Sequence, residues 1–331
     1  MISAGLALAD PLKIATYNVE LTRAGPGLLL RDIQAGQDPA VAAVVSVLVR
    51  LDADVIVLTG IDYDMGGLAA GALAALAGYP YVLPLRGNSG VATGLDLDGN
   101  GQLGEARDAM GYGRFAGQAG MAVLSRYPFA TGARDFSALL WADLPGALLP
   151  ADMTPAVRAV QRLSTSGHWE VPVQAPGGVL RLLCWYATPP VFDGPEDRNG
   201  RRNHDEAAFW LRLLAGELTW PPPEGPFVLL GQSNLDPVDG DGLRGAMAAV
   251  LDHPGLQDTA PRGTHARVET GDPALDTALY DFGGLRVEVV LPSAGLRVQA
   301  SGVLWPPDSD PFAAVLAAAS RHRPVWVDVA F

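Results

Sequence analysis

Cysteine is nearly missing from this chain: Cys184 is the only one. That excludes an intramolecular disulfide and a zinc site of paired thiolates. Cys184 lies in the apolar run 179–185 and reads as a small buried side chain. Basic charge is also scarce, with 23 Lys and Arg against 36 Asp and Glu and a net charge of −13. A protein that grips nucleic acid through its phosphates needs a basic footprint. Here nothing basic clusters beyond Arg198, Arg201 and Arg202. Those three read as solvated or salt-bridged loop residues, with an anion site as the alternative. Non-specific nucleic-acid binding is therefore not expected, and the acidic balance reads first as solubility. Long apolar runs that could span a membrane are absent, as is any repeat period. Charged residues make up 18% of the chain, in no long run, and nothing reads as disordered.

The 331 residues are 49% hydrophobic, enough for a sizeable core. Ala7-Leu8-Ala9 has the form of a signal-peptidase site. Residues 1–9 are accordingly expected to be the remnant of an export signal on an exported or periplasmic protein, and residues 10–331 to form one domain. Apolar, β-branched stretches predict strands at 13–19, 54–58, 121–124, 179–185, 227–230, 285–291 and 325–329. Helical spacing predicts helices over 39–51, 67–77, 203–218 and 312–319. In the third of these, Asp205 and Glu206 would sit in the first turn, where the helix dipole favours carboxylates, with His204 and Asp205 as cap residues. The stretch 136–178, rich in Pro, Ala and Gly, reads as irregular. The run Pro221-Pro222-Pro223 reads as a rigid surface loop within the domain. Strands alternating with helices give an α/β class. Several strand-to-strand links lack a helix, which argues for mixed sheets.

Specific phrases sit at the strand ends. Ile14-Ala15-Thr16-Tyr17-Asn18-Val19 opens the series, followed by Asp54-Val55-Ile56-Val57-Leu58. Gly117-Gln118-Ala119-Gly120-Met121-Ala122-Val123-Leu124-Ser125-Arg126 comes next, then Phe227-Val228-Leu229-Leu230-Gly231 with Asn234. Ser320-Arg321-His322-Arg323-Pro324-Val325 closes it. In this order the set resembles the endonuclease/exonuclease/phosphatase (DNase I-like) superfamily. The segment from Thr188-Pro189-Pro190 to Asn203-His204-Asp205-Glu206 resembles a bacterial subgroup of exported, hydrolase-like members. The resemblance implies two mixed β-sheets packed face to face with helices on the outer faces, a four-layer α/β sandwich. It also implies metal-dependent phosphoester hydrolysis.

The residues that would carry that chemistry are only partly present. By the resemblance, Asn18, Asn234, Glu288 and His322 match the family pattern. Gly60 stands where active members keep the Glu that holds Mg²⁺ or Mn²⁺. Tyr186 stands in place of the His that stabilises the attacked phosphate; a phenol donates a hydrogen bond but carries no positive charge. Gln232 replaces the Asp of "G-D-x-N" and cannot act as a base. Arg321 replaces the Asp before the closing His, and it could pair with Glu288 or with a bound anion. Ala119 stands where many members carry a Tyr. Together these substitutions predict no Mg²⁺ or Mn²⁺ in the cleft and no ordinary hydrolysis.

Other acidic groups leave further readings open. Asp96, Asp98, Asn100 and the Gln102 carbonyl follow the front of a calcium loop. Arg107 occupies the closing position, but Asp108 beside it could complete the loop; the plain alternative is an Asx/Gly turn. Asp62 and Asp64, or Asp236 with Glu288, could rebuild a cation site, with His322 facing the phosphate. Asp239 and Asp241 could instead cap a helix. Three readings follow: a non-catalytic family member whose cleft binds an anion or a partner, an active metal-dependent hydrolase with a rebuilt site, and a calcium-stabilised scaffold. No role is read for His168, His253 or His265.

Overall fold

The computed structural model describes residues 11–266 and 270–330; the expected export remnant, residues 1–9, lies outside the described residues. The chain runs β1 (Leu12–Leu21), α1 (Leu28–Ala35), α2 (Pro39–Leu51), β2 (Val55–Ile61), α3 (Leu68–Ala77), β3 (Tyr81–Leu83) and β4 (Gly120–Ser125). It continues through β5 (Arg134–Asp135), α4 (Pro155–Arg158), β6 (Gly167–Ala175), β7 (Gly178–Tyr186), α5 (Arg198–Leu214), β8 (Phe227–Gln232) and α6 (Gly245–Leu251). The last elements are β9 (Ala278–Tyr280), β10 (Gly283–Leu285), β11 (Glu288–Pro292), β12 (Arg297–Val303), α7 (Phe312–Ala319) and β13 (Val325–Ala330).

Local chemistry sets these boundaries. Asp38 accepts from the N–H groups of Ala40 and Val41, and Pro39 occupies the first helical position, so α2 starts where the sequence predicts. Gly78, at φ +79°, ends α3 in the left-handed conformation that glycine adopts without strain.

Two sheets result. One has the order β12-β13-β1-β2-β4-β3 and the other β11-β8-β7-β6-β5. The pairs β1–β2 and β7–β8 are parallel, while the other pairings within these sheets are antiparallel. The central strands alternate between two buried faces. Ile14, Val55, Val57 and Val123 of the first sheet meet Trp169, Leu182, Cys184 and Leu230 of the second in the middle layer. Ala15, Ile56, Leu58 and Leu124 face α1, α2, α3 and α7. Leu183, Trp185, Leu229 and Val289 face α5 and α6. This is the four-layer α/β sandwich expected from the sequence.

Several local readings need correction. α5 begins at Arg198, five residues before the predicted start, so Asp205 and Glu206 are interior and buried, not first-turn caps. Asp205 accepts from Trp141 Nε1 and Leu148 N, and Glu206 from Thr165 N and Thr188 N. Arg202 is buried as well and donates to the carbonyls of Met110, Arg162, Leu163 and Ser164, which rules out a solvated loop role. Within the stretch read as irregular lies β6, paired along its length with β7. Pro172 breaks the strand pattern there, a residue usually confined to edges. The predicted strand 285–291 joins the end of β10 to β11, and in the gap between them the Arg286 N–H donates to Asp236 Oδ2 instead of to a neighbouring strand. α6 starts at Gly245, out of capping reach of Asp239 and Asp241; Asp239 accepts from Gly271 N instead. The proline run is tied to the body by Arg134 Nη1, which donates to the Pro221 carbonyl.

Candidate functional site

The two parallel pairs bring strand ends from both sheets to one rim. Asn18 lies opposite Thr59, Tyr186 opposite Gln232, and Glu288 opposite Gln232. Asn18 Nδ2 crosses between the sheets to Gln232 Oε1 at 2.6 Å, and Thr59 Oγ1 donates to the same oxygen at 3.0 Å. Gln232 Nε2 donates to Asn234 Oδ1 at 2.6 Å, and Asn234 Nδ2 to the Ala187 carbonyl at 2.7 Å. These amides form one connected lattice that ends on the Ala187 carbonyl. Buried Glu288 holds His322 through Oε1 and Nδ1 at 2.5 Å, leaving Nε2 as the ring nitrogen available to the cleft. Tyr186 packs beside Asn18; burial pushes its phenol up to about 12, against a smaller opposing effect of the Asn18 side chain.

Gly60 sits in the irregularity between Thr59 and Ile61, at φ +67°. A Cβ there would lie 2.2 Å from Asn18 Oδ1, so the place a side chain needs is filled by Asn18. Arg321 pairs with Glu20, Nε to Oε1 at 2.7 Å, and not with Glu288. The Arg321 N–H and Ser320 Oγ also donate to Glu20 Oε2. The Arg321 guanidinium lies 5.7 Å from the Tyr280 ring centre, and Tyr280 meets the His322 ring edge-on at 6.1 Å. Thus Asn18, Gly60, Tyr186, Gln232, Asn234, Glu288 and His322 converge, with Arg321 at the mouth. Ala119 lies off this lattice; its N–H donates to Asp62 Oδ1.

Sequence reasoning missed Glu20, Thr59 and Tyr280. Glu20 follows Asn18 by two residues, which alternation places on the same face. Its φ of 47° belongs to the bulge that ends the regular pairing, and pattern alone does not show that.

The model of the Endonuclease/Exonuclease/phosphatase family matches residues 15–322. The chain belongs to the endonuclease/exonuclease/phosphatase family. Solved structures agree at the level of fold. An endonuclease/exonuclease/phosphatase protein from Beutenbergia cavernae is 19% identical with a TM-score of 0.57, over 97% of this chain and 72% of that one. Sphingomyelinase C from Streptomyces griseocarneus is 18% identical with a TM-score of 0.53, over 96% and 99%. A 3'-5' exonuclease from Neisseria meningitidis is also 18% identical with a TM-score of 0.53, over 97% and 100%. No curated protein matches the chain.

Family members typically depend on a divalent cation, which wants carboxylate oxygens. In this cleft few carboxylate oxygens are free for that purpose. Gly60 supplies no oxygen. Asn18 Oδ1 accepts from Glu20 N, and Gln232 Oε1 and Asn234 Oδ1 accept from the lattice. Glu20 holds Arg321, and of Glu288 only Oε2 lacks a partner. Asp62 accepts from Arg23 N and Ala119 N, and burial raises it to about 6, partly offset by those bonds. Asp64 accepts from Ala69 N at the start of α3.

Among the described residues, two acidic groups gather elsewhere, each with oxygens within 4.8 Å of one another. Asp236, Asp239 and Asp276 form the first, with Asp236 accepting from Arg286 N just before β11. Asp96, Asp98 and Asp108 form the second. In it, Asp96 accepts from Gly99, Asn100 and Gly101, and Asn100 Oδ1 from Gln102 N. Asp108, buried, accepts from Leu97 N and Glu105 N. Arg198 Nη1 joins the loop to the body through the Leu97 carbonyl.

Proposed function

We propose that this family member does not hydrolyse phosphoesters by the metal route, and that its cleft holds a phosphate or carboxylate without turning it over. The observation that carries the reading is the guanidinium of Arg321. Only its Nε is engaged, by Glu20, and both terminal nitrogens remain for a ligand beside the His322 ring. A guanidinium presents a planar fork suited to carboxylate or phosphate. The amide lattice behind it supports the same reading. It can orient a bound oxygen, but it offers no base to deprotonate a water. The test is hydrolysis of a simple phosphodiester and a phosphomonoester with Mg²⁺, Mn²⁺ and Ca²⁺, beside calorimetry with inorganic phosphate. The expected outcome is no turnover, with phosphate binding that falls at least tenfold in Arg321→Gln. Turnover lost in His322→Ala or Asn234→Ala would overturn it.

The Asp236, Asp239 and Asp276 group favours a second reading, hydrolysis with a cation rebuilt there. Under that reading Mn²⁺-dependent turnover disappears in both Asp276→Asn and His322→Ala. Independently of catalysis, the convergence of Asp96, Asp98 and Asp108 supports a structural Ca²⁺ there, with Asn100 and the Gln102 carbonyl as further oxygens. Calcium would then raise the melting temperature by mass action, and Asp98→Asn would abolish the rise. Equal melts in calcium and in chelator would end that idea.

A further inference from the structure

β9 and β10 belong to neither main sheet. They form a separate two-stranded hairpin, paired from Ala278 with Leu285 to Tyr280 with Gly283. Backbone contacts fasten it to the segment that bears Arg321 and His322. Leu279 N donates to the Arg321 carbonyl at 3.0 Å, Arg323 N donates to the Thr277 carbonyl at 2.6 Å, and Ala278 forms a β-bridge with His322. The hairpin therefore holds its side chains at a fixed position relative to the guanidinium. Tyr280 lies against that group, 5.7 Å from guanidinium carbon to ring centre, and meets the His322 ring edge-on. Burial holds the Tyr280 phenol well above its ordinary range, with Glu288 adding to the rise and Arg321 opposing it, so the ring stands neutral among the charges of the cleft. Phe282 follows in the turn and is 74% exposed. Its ring is parallel to that of Tyr280 within 1°, with centres 5.3 Å apart. Carbon surfaces in contact are ~3.5–4 Å apart, so parallel rings with centres 5.3 Å apart are offset, and each leaves part of a face uncovered. A two-residue hairpin turn favours Asn, Asp and Gly, so Asp281 suits the turn and Phe282 adds nothing to it. A single exposed apolar residue is ordinary. Two parallel rings that continue from a guanidinium are not a scattered residue.

We propose that Tyr280 and Phe282 select, among the anions that Arg321 holds, those that carry a flat aromatic ring. This rests on the anion-binding reading of the cleft and adds a second point of contact to it. The phosphate or carboxylate sits on the terminal nitrogens of Arg321, and the ring lies on the uncovered faces of Tyr280 and Phe282. Aromatic rings pair favourably when offset-stacked or edge-to-face, and a guanidinium tolerates an aromatic face beside it. Charge narrows the class further. Exposed Asp281 stands between the two aromatic residues in the chain. A second negative charge at the ring end is repelled there, so the ligand is anionic at one end only. A lipid surface is disfavoured too. Segments that lie on membranes bring Lys and Arg beside their aromatics, and residues 278–285 contain neither.

Calorimetry of the full chain tests this with inorganic phosphate, phenyl phosphate and cyclohexyl phosphate, the last two alike in size but only the first flat and aromatic. Benzoate against cyclohexanecarboxylate repeats the comparison for a carboxylate head. In at least one pair the aromatic ligand should bind about threefold to tenfold more tightly, the margin one aromatic pair provides, and the pair that shows it names the head group. Phe282→Ala should shrink the margin, and Phe282→Ala with Tyr280→Leu should abolish it. Should the double variant fail to fold, Phe282→Trp, at an exposed turn position, should widen the margin instead. Equal binding within both pairs, while inorganic phosphate still binds, overturns the proposal and leaves the anion-binding reading standing. So does a margin unchanged in Phe282→Ala. If neither inorganic phosphate nor any of the four organic anions binds, both readings fall.

Discussion

Gly60→Ala should destabilise the protein far more than an added methyl group normally would. At φ +67°, any L-side chain adopts the left-handed conformation at about 1–2 kcal/mol. The new Cβ would also stand 2.2 Å from Asn18 Oδ1 and 3.3 Å from Glu20 N. Asn18 must then turn, and it is held at both ends, by Gln232 Oε1 at 2.6 Å and by Glu20 N at 3.0 Å. Breaking one of these leaves a buried polar group unsatisfied, about 1–3 kcal/mol. The sum is about 2–5 kcal/mol. At roughly 2 °C per kcal/mol for a chain of this size, the melting temperature should fall by about 4–10 °C. Thermal melts of wild type, Gly60→Ala, Asn18→Ala and the double variant separate the two contributions. In the Asn18→Ala background the clash is gone, so Gly60→Ala should cost only the conformational part, with a coupling of about 1–3 kcal/mol. Additive single effects, or a Gly60→Ala protein melting within about 1 °C of wild type, would refute the reasoning. The same geometry means that Gly60→Glu alone builds no cation site, because Asn18 occupies the space the carboxylate needs.

Buried His168 and Glu206 give opposite pH slopes. Burial holds His168 down from 6.5 to about 4, so its contribution is complete above pH 6.5 and is lost as pH falls toward 4. Burial pushes Glu206 up from 4.5 to about 7, partly opposed by Arg202, so stability is highest below pH 4.5 and is lost as pH rises to 7. Each is worth roughly 3 kcal/mol, and between pH 4.5 and 6.5 they nearly cancel. Wild type should melt at a nearly constant temperature there, while Glu206→Gln should melt higher as pH rises; a flat profile in the variant contradicts the assignment. Arg202→Met removes the donor to four carbonyls and should cost about 3–5 kcal/mol, read as a lower urea midpoint and faster proteolysis within residues 88–113. Arg321→Gln should change stability by less than about 1 kcal/mol, since its pair with Glu20 is partly exposed, and a larger loss would mean the ion pair holds the rim together.

Most of the layer plan was legible because the central strands are buried on both faces and so read as continuous apolar runs. α2 and α7 were legible to the residue, the first through Asp38 and Pro39. β12 was not, because Arg297, Gln299 and Ala300 face water on an edge strand. β6 was hidden by Pro172. The start of α5 was hidden because its first turn is polar on every side. Its buried Arg202, Asp205 and Glu206 serve carbonyls and N–H groups far away in sequence, and no local pattern reports such a partner. The resemblance named Asn18, Gly60, Tyr186, Gln232, Asn234, Glu288 and His322, which lie together, but not Glu20, Thr59 or Tyr280 beside them. What those phrases could not give was the partner of Arg321, because Glu20 reaches it only through a bulge.

The substitutions in the cleft make one electrostatic change. Against the family pattern, Gly60 and Gln232 each remove a negative charge and Arg321 replaces a negative charge by a positive one, so these three positions raise the formal charge by four units, while Tyr186 gives up the positive charge that a protonated His would carry. A cleft that keeps those carboxylates repels a phosphate until a divalent cation neutralises them. Here Arg321 supplies a permanent positive charge, and the oxygens left behind are tied up by Asn18, Thr59 and Gln232 donors. If the cleft holds an anion as proposed, reverting one position would add a carboxylate without freeing enough further oxygens from Glu20 and Glu288 to keep a cation. The four substitutions are therefore expected to behave as a unit. Changing Gly60, Tyr186, Gln232 and Arg321 singly toward Glu, His, Asp and Asp should leave cation binding undetected by calorimetry, while the four together should produce it. A single change that creates a tight Mn²⁺ site would show that the remaining residues were already arranged for a metal.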